Sequence, residues 1–469
     1  MRHVLFPALI CIALNSCNNT PTEPKSLGNY PGSVSAIIQA NCLGGNCHSG
    51  PTTVNTQFDL STWETMKKGS IYFNEIIPFS AVKSHFFGHI NTNSGLGPVI
   101  TPTMPLARDP LSTADQMTLF NWINQGAKSA EGKIPYDDIT KRIFVSNRDE
   151  DMISVIDAET KRLVRVLSVG TKYLPVAVSM MPDLKAFIVA MDGATGIIRK
   201  YDAGSYGQIG EFASHLYPSE IAITSDGSKG YIADDSYYLN RFGVFDPVTM
   251  KLGKTVSTPL VEDAVSVVIS PDGKYAYLCG HRSDNILRID TRTDSVMGCL
   301  TLGADVQVPY TSSYPTKYGP EKIVVSSDSK TLYVTCLNTS EVVVFDLVRD
   351  SIIARIPIPS NPWGEALSPD GSELWIATWG ANSVHVVSTA TNQVIAKIDS
   401  VSLVPHAITI TPDGAYAYVA CELASGGAHH HGTGATAPSS FVIIDCKTRK
   451  IVSIEELPST STGIVAGYK

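Results

Sequence analysis

The residues with the clearest chemical potential lie near the start of the chain, in the run CLGGNCH at residues 42–48. Two thiols close together in sequence, followed directly by a histidine, form the pattern by which a chain attaches haem covalently. The thiols add to the porphyrin vinyl groups, and the imidazole takes one axial position on iron. The usual pattern has two residues between the cysteines, whereas Cys42 and Cys47 are separated by four. The alternative is a small-loop disulfide, with His48 as an ordinary surface residue.

The segments around this run predict a small helical domain. Residues 33–40 have apolar side chains at helical spacing and lead directly into the first cysteine. Residues 100–106 predict a proline-bracketed loop that presents Met104. A further helix is expected to begin after Ser112, an N-cap with an acidic residue three positions later, and to end near Gly126.

The order of these features resembles that of the small monohaem cytochromes c, and looks most like their variants with a four-residue spacer. The resemblance covers residues 33–128. It implies one covalent haem c, with thioether bonds at Cys42 and Cys47, His48 as the proximal iron ligand and Met104 as the distal ligand. A thioether opposite an imidazole raises the reduction potential, which suits electron transfer.

Two other interpretations of these side chains stay open. Met104 taken alone is more typical of a buried core methionine than of a ligand. His85 and His89, four residues apart, could bind a metal together, or either could replace Met104 on the iron.

The first residues predict export. An apolar run at residues 4–14 follows a basic start and is too short to span a bilayer. Its end, Leu-Asn-Ser-Cys, resembles the lipobox of bacterial lipoproteins, which implies removal of residues 1–16 and lipidation of Cys17. Residues 17–32 then predict a flexible tether. The expected location is lipid-anchored on a bacterial membrane, facing the periplasm or the cell surface; the alternative is a plain secretory signal.

The composition excludes one class of partner. The chain has 36 basic and 44 acidic side chains and a net charge of −8, without basic runs. An acidic surface of this kind repels the phosphate backbone, so we expect no nucleic acid as a partner.

From residue 141 onwards the chain repeats itself. Each unit has a turn of the Pro-Asp-Gly type and an alternating strand that ends, with one exception, in aspartate. These strand ends lie 42 to 57 residues apart, at Asp157, Asp202, Asp246, Asp290, Asp346, Ser388 and Asp445. Such a period with four short strands per unit predicts a seven-bladed β-propeller over residues 141–469. Residues 129–140 are the expected linker, so the fold class is mainly β with a small α domain.

The amino-acid sequence of the repeats resembles that of the YVTN family of propellers. The runs LYVT and EVVVFD at residues 332–335 and 341–346 carry the match. The first unit lacks an innermost strand, so we predict that the C-terminal residues 462–467 complete blade one and remove the open edges of the ring.

One face of the predicted ring is the expected working face. Two long insertions, residues 303–320 and 422–440, belong to it, together with His281, Trp379, Trp363 and His406. The consecutive imidazoles His429, His430 and His431 could bind copper, nickel or zinc, and His406 is a second candidate metal ligand. The alternative is a flexible segment with adventitious metal affinity.

Together these patterns favour a membrane-anchored electron-transfer protein with one haem c. The propeller would then be a docking platform for a redox partner protein, with room for a small ligand on its face. We expect an electron-transfer protein more than a stand-alone enzyme. The alternatives are an oxidoreductase with a catalytic or metal site on the propeller face, and a non-redox surface binding lipoprotein.

Overall fold

The structure is a computed structural model, and it describes residues 27–44, 47–50, 57–71, 74–193, 195–236, 239–309, 316–422 and 439–468. The predicted signal peptide, the lipidation site Cys17, most of the tether and His429–His431 lie outside these residues. Among the residues that are described, no helix is both long enough and apolar enough to cross a bilayer.

Helices occur mainly in the N-terminal part of the chain. The α-helices within the described residues are α1 (Gly32–Asn41), α2 (Trp63–Met66), α3 (His85–Ile90) and α4 (Thr113–Asn124). Single 3-10 turns occur at Ala81–Lys83, Ser94–Leu96 and Trp379–Ala381.

These helices pack around one small core. The side chains of Trp63 and Leu119 are at most 2% exposed there, and the indole Nε1 of Trp63 donates to the carbonyl of Ala127 at 2.8 Å. The predicted cap of α4 is present, because the backbone N–H of Asp115 donates to Ser112 Oγ at 3.1 Å. Short helices of this length are marginal alone, so the buried face holds them in place.

The rest of the chain forms seven four-stranded antiparallel sheets within the described residues. Blade one, from the innermost strand outwards, is β28 (Ser461–Ala466), β1 (Arg142–Asn147), β2 (Met152–Asp157) and β3 (Arg162–Ser168). Blades two to four are β4 (Pro175–Met180), β5 (Ala186–Met191), β6 (Ile197–Asp202) and β7 (Gln208–Ala213); β8 (Pro218–Ile223), β9 (Gly230–Asp234), β10 (Arg241–Asp246) and β11 (Lys251–Ser257); β12 (Ala264–Ile269), β13 (Tyr275–Gly280), β14 (Asn285–Asp290) and β15 (Ser295–Thr301). Blades five to seven are β16 (Pro320–Val325), β17 (Thr331–Cys336), β18 (Glu341–Asp346) and β19 (Ser351–Pro357); β20 (Pro362–Leu367), β21 (Glu373–Thr378), β22 (Ser383–Ser388) and β23 (Gln393–Ile398); β24 (Pro405–Ile410), β25 (Tyr416–Cys421), β26 (Ser439–Asp445) and β27 (Lys450–Leu457).

The sheets close into a ring around a central channel. Each inner strand contacts the inner strands of both neighbouring blades, and the last contact joins β24 to β28. The C-terminal strand β28 pairs with β1, which confirms the predicted closure of blade one. The prediction of a mainly β protein with a seven-bladed propeller is therefore confirmed.

The aspartate at the end of each third strand has a structural cause. Asp246, for example, accepts hydrogen bonds from the backbone N–H groups of Val248 and Thr249 at 2.8 and 3.0 Å. Such a side chain closes the tight turn to the outer strand. The same turn recurs from blade to blade, which explains why the sequence repeats an aspartate at this place in six blades, with Ser388 in the remaining one.

Each inner strand carries a β-bulge at its second residue. A bulge re-aims side chains at a sheet edge. The residues at this position in the seven blades all line the channel: Thr462, Val176, Ser219, Val265, Glu321, Trp363 and His406. Which side chains enter the channel is thus decided by strand register.

The helical region contacts the outer strands of blades one and seven. Asn74 Nδ2 donates to the carbonyl of Leu163 at 2.9 Å, and Arg162 donates to the carbonyl of Lys68 at 3.0 Å. Lys83 forms an ion pair with Glu150, in the hairpin between β1 and β2. These contacts fix the helical region at the rim of the ring, away from the channel axis.

Candidate functional site

The cysteine run follows α1 and packs on the core of the helical region. The side chain of Cys42 is 7% exposed and belongs to that core, whereas Cys47 is exposed. The sulfurs of Cys42 and Cys47 are not bonded to each other in the structure, unlike in the alternative disulfide. Burial, reinforced by the thiol of Cys47, raises the pKa of Cys42 to about 12. The buried thiol therefore stays protonated at neutral pH.

The backbone and ring of His48 are both held. Its backbone N–H donates to the carbonyl of Cys42 at 3.2 Å, which folds the loop back on itself. Its Nδ1 lies 3.0 Å from the carbonyl oxygen of Phe58. Because a carbonyl only accepts, Nδ1 must carry a proton, so the tautomer of the ring that binds a metal is the one with its lone pair on Nε2. Metal-ligating histidines usually have this second hydrogen bond.

The methionine loop lies against the same core. Met104 is half-buried and packs, like Leu43, on the cluster that includes Cys42. The Arg108 side chain of this loop lies directly over the cysteine run, because a Cβ placed on Gly44 would be 3.3 Å from its guanidinium. The fold thus brings together the two loops that the sequence predicts to hold haem.

The two alternative histidine ligands are separated by their contacts. His89 is tied to the methionine loop, since Met104 N–H donates to its carbonyl at 2.7 Å and its Nδ1 lies 3.0 Å from the carbonyl of Pro102. His85 points to the propeller, with its Nε2 3.9 Å from Glu456 Oε2. Burial lowers the pKa of His85.

The donor set fits a c-type haem in its chemistry. Cys42 and Met104 pack on one apolar core, His48 contacts Phe58 of that core, and Cys47 is exposed next to His48 in the sequence. These are the group types that hold haem covalently and ligate its iron.

The second concentration of functional groups is the mouth of the central channel, which is the end where the inner strands begin. In each blade, the residue directly after the second strand donates its backbone N–H to the carbonyl of the residue directly before the inner strand. These seven equivalent residues form a ring: Arg148, Asp192, Asp235, His281, Leu337, Trp379 and Glu422. The ring and the bulge residues together decide the chemistry of the mouth.

One sector of this mouth is acidic. Burial and the neighbouring carboxyls of Asp263, Glu321 and Asp192 raise the pKa of Asp235. His281 Nδ1 lies 2.7 Å from Glu321 Oε1. Burial opposes a charge on His281, but Glu321 outweighs it and raises the pKa of the imidazole to about 9. His281 therefore carries a positive charge at neutral pH.

His406 differs from His281 although both line the mouth. Its Nδ1 lies 2.9 Å from the carbonyl of Thr462, and its Nε2 lies 3.7 Å from Glu422 Oε1. Burial, with Lys322 nearby, lowers the pKa of His406 to about 3, so the ring is neutral. Burial also raises the pKa of Glu422 to about 7. Within the described part of the chain, no group of three His, Cys, Asp or Glu side chains is arranged to hold a metal ion.

Below the mouth, the channel holds charged residues that sequence analysis missed. Lys322 Nζ lies 3.2 Å from Glu220 Oε1, and Glu365 belongs to the same wall. Glu365 stands two residues after Trp363, on an inner strand. The repeat register could have identified these residues from the sequence. When the inner strands are aligned, Glu220 and Lys322 lie one position after the bulge residue, and Glu365 lies two positions after it.

The comparisons with known proteins agree with this fold. No family model matches the chain. The chain is 24% identical over 215 residues to hydrazine synthase subunit beta of Kuenenia stuttgartiensis, a match that covers 38% of this chain and 55% of that protein. The chain therefore spans about half the length of this curated relative.

Solved structures with the same fold include Kuenenia stuttgartiensis hydrazine synthase, at a TM-score of 0.52 and 18% identity over 68% of this chain and 92% of that chain. A protein of Bacteroides uniformis described as a candidate 6-phosphogluconolactonase matches at 0.52 and 16%, over 70% and 99%. One of Bacteroides fragilis, with the same description, matches at 0.55 and 16%, over 71% and 99%. These likenesses concern the propeller fold alone.

Proposed function

We propose that this protein is a membrane-anchored, extracytoplasmic c-type haem protein that transfers electrons, with the propeller as the platform on which a redox partner docks. The observation that carries the proposal is the fixed imidazole of His48. Its Nδ1 lies 3.0 Å from the carbonyl oxygen of Phe58, so that Nε2 is the ring nitrogen available to a metal, directly after the second cysteine in sequence.

Each side chain of the site has a separate task in this proposal. Cys42 and Cys47 would hold the haem covalently, and His48 would bind the iron. Met104 would be the second axial ligand, placed by its hydrogen bond to His89. The haem would supply one-electron exchange at its iron. The apolar core beneath Cys42 keeps water from that side of the site.

Two further observations support a platform role for the propeller. The helical region is fixed to the rim of the ring by Lys83, Asn74 and Arg162, which would keep the haem at a constant distance from any partner bound to the ring. The chain is also similar to a subunit of a synthase that has more than one kind of subunit. Lipidation at Cys17 would hold the assembly at the membrane surface.

The test is production of the protein with the c-type maturation machinery, followed by haem staining of a denaturing gel and reduced-minus-oxidised spectra. We expect a haem band that survives denaturation and is lost in Cys47→Ala. Cys299→Ala, a half-buried cysteine of the propeller, is the matched control and should keep its haem. Properly matured protein without haem would contradict the proposal and favour a non-redox binding lipoprotein.

The distal ligand needs a separate measurement. Met104→Ala should lower the midpoint potential, because a thioether ligand stabilises ferrous iron. Met297→Ala, at a side chain that is 60% exposed on the propeller, should leave the potential unchanged. A midpoint potential that changes in His89→Ala and stays the same in Met104→Ala would assign the distal position to His89.

A catalytic site on the propeller face is the second candidate function. The His281–Glu321 pair, joined at 2.7 Å within an acidic channel mouth, is the observation that favours it, since such pairs serve in proton transfer. Turnover of a small oxidisable or reducible substrate that is lost in His281→Gln would support this candidate.

A further inference from the structure

The central channel contains a cavity of about 270 Å³, walled by the inner strands. This volume is close to the lower end of small-ligand pockets, roughly 300 Å³. The cavity is independent of the proposed haem site, which lies at the rim of the ring. Its most unusual side chain is Glu365, which is 8% exposed.

Glu365 has no local partner that would explain its burial. Among the described residues, neither of its carboxyl oxygens has a hydrogen bond of normal geometry, although the backbone N–H of Val324 lies close enough to lower its pKa. Burial and Glu220 raise that pKa, whereas the charge of Lys322 lowers it without a hydrogen bond to either oxygen. A buried carboxyl without a donor costs free energy, and a bound cation would supply the missing partner.

The nearby cation does not fill this role. Lys322 Nζ lies 3.2 Å from Glu220 Oε1, and the other oxygen of Glu220 accepts from Ser266 Oγ and from the backbone N–H of Val267. Glu220 is therefore satisfied by its own contacts. Lys322 is the one cationic side chain of the described cavity wall, against five carboxyl side chains: Asp192, Glu220, Asp235, Glu321 and Glu365. Asp192 is paired with Arg148 and Glu321 with His281, so Glu365 is the carboxyl group of this described wall with both oxygens free of hydrogen bonds.

The aromatic side chain of Trp363 lies two residues before Glu365 in the sequence and lines the same cavity. The indole of Trp363 is 4% exposed, with its ring centroid 5.1 Å from that of His406. Gly364 allows this close approach of β20 and β24, because a Cβ there would lie 2.3 Å from the carbonyl oxygen of His406. An indole face attracts an organic cation more strongly than any other side chain ring.

We propose that the channel binds a small organic ammonium ion, held by the carboxylate of Glu365 and the indole of Trp363. Both side chains line the cavity wall, and an indole attracts such a cation through its ring face while a carboxylate pairs with its charge. A metal ion is the weaker fit, since the described residues offer no cluster of three ligands. No covalent step is involved; a proton on Glu365 would leave to solvent when the cation binds.

Isothermal titration calorimetry on the full chain tests the proposal, with methylammonium, ethanolammonium and tetramethylammonium chlorides as probes. Sodium chloride and the neutral isosteres ethanol and tert-butanol are the matched comparisons. We expect saturable binding of at least one ammonium probe and of neither neutral isostere. Saturable binding of none of the ammonium probes, or tighter binding of magnesium chloride than of any of them, would overturn the proposal.

Variants then assign the site. Glu365→Gln keeps the shape and should weaken binding at least tenfold, whereas Glu211→Gln, on the outer strand β7, should leave binding unchanged. Trp363→Leu should also weaken binding at least tenfold, and it provides a second measurement if the Glu365 variant does not fold. Affinity that stays at the wild-type value in a folded form of either channel variant would show that the ion binds elsewhere.

Discussion

Cys42 and Glu365 are both buried in the centre of their regions, yet the chain positions them in different ways. Cys42 caps the end of α1, and the irregular loop after it is held by single contacts such as His48 N–H to the carbonyl of Cys42 at 3.2 Å. Glu365 is held by the register of an inner strand whose bulge recurs in all seven blades. The helical region depends on a few contacts, whereas the channel depends on closure of the whole ring.

The largest expected effect comes from opening the ring. Ending the chain after Thr460 removes β28, which pairs with β1 and contacts both β24 and β4. The edge of β1 and the apolar faces of β24 in blade seven and β4 in blade two would then be exposed. We expect loss of the cooperative thermal transition of the strands, followed by circular dichroism. The double variant Cys42→Ser, Cys47→Ser should keep that transition, and a truncated ring that melts normally would contradict the closure argument.

A matched pair of core substitutions compares the two regions directly. Leu119 in α4 and Leu278 in β13 are both fully buried, so replacement by alanine removes the same atoms. Each should cost about 2–5 kcal/mol of unfolding free energy. In hydrogen exchange, we expect Leu119→Ala to increase opening in the helical region alone, and Leu278→Ala to increase it in the ring. Faster exchange of both regions in both variants would show that they unfold as one unit.

The contact between the regions should depend on pH. Burial raises the pKa values of Glu75 and Glu455, which both lie near Arg162, to about 7 from an ordinary 4.5. The folded chain holds these protons more tightly than the unfolded chain. The contribution of these two carboxyl groups to the free energy of unfolding is therefore complete below pH 4.5. It is lost as the pH rises through 7, and its upper limit is about 3 kcal/mol for each group. His85 acts in the opposite sense, because its lowered pKa disfavours the protonated ring below pH 6.5.

Thermal unfolding between pH 5 and pH 8 measures this effect. We expect stability to fall across that range in the wild type, and the fall to shrink in the double variant Glu75→Gln, Glu455→Gln. Glu64→Gln, at a carboxylate that is 53% exposed, is the control and should keep the wild-type slope. An unchanged slope in the double variant would mean that other groups set the pH dependence.

Some features of the fold could be predicted from the sequence because they depend on local or repeated residues. Repeated turn aspartates such as Asp246 marked the strand ends because every blade needs the same turn, and the closure by β28 followed from counting strands. Ser112 marked the start of α4 because an N-cap is a local need. These features depend on neighbouring residues or on a repeat.

The channel chemistry depends on residues that are distant in sequence. The His281–Glu321 pair joins blades four and five, and the Lys322–Glu220 pair joins blades five and three. Glu365 occupies an ordinary strand position, and only ring closure buries it. Metal binding at His406 and His429–His431 stays a prediction, as does the role of Met104, because ligation depends on a group that the sequence and fold do not themselves contain.

The smallest expected effect tests whether charge holds the two regions together. The Lys83–Glu150 pair connects them, with side chains 27% and 29% exposed, and water screens such a pair. A double-mutant cycle with Lys83→Met and Glu150→Gln should therefore give a coupling of at most about 1 kcal/mol. The Lys133–Glu131 pair, 64% and 61% exposed, should give less. A coupling above about 2 kcal/mol would show that this ion pair, rather than the buried carboxyl groups and backbone hydrogen bonds, holds the helical region on the ring. The helical region would then detach from the ring at high salt.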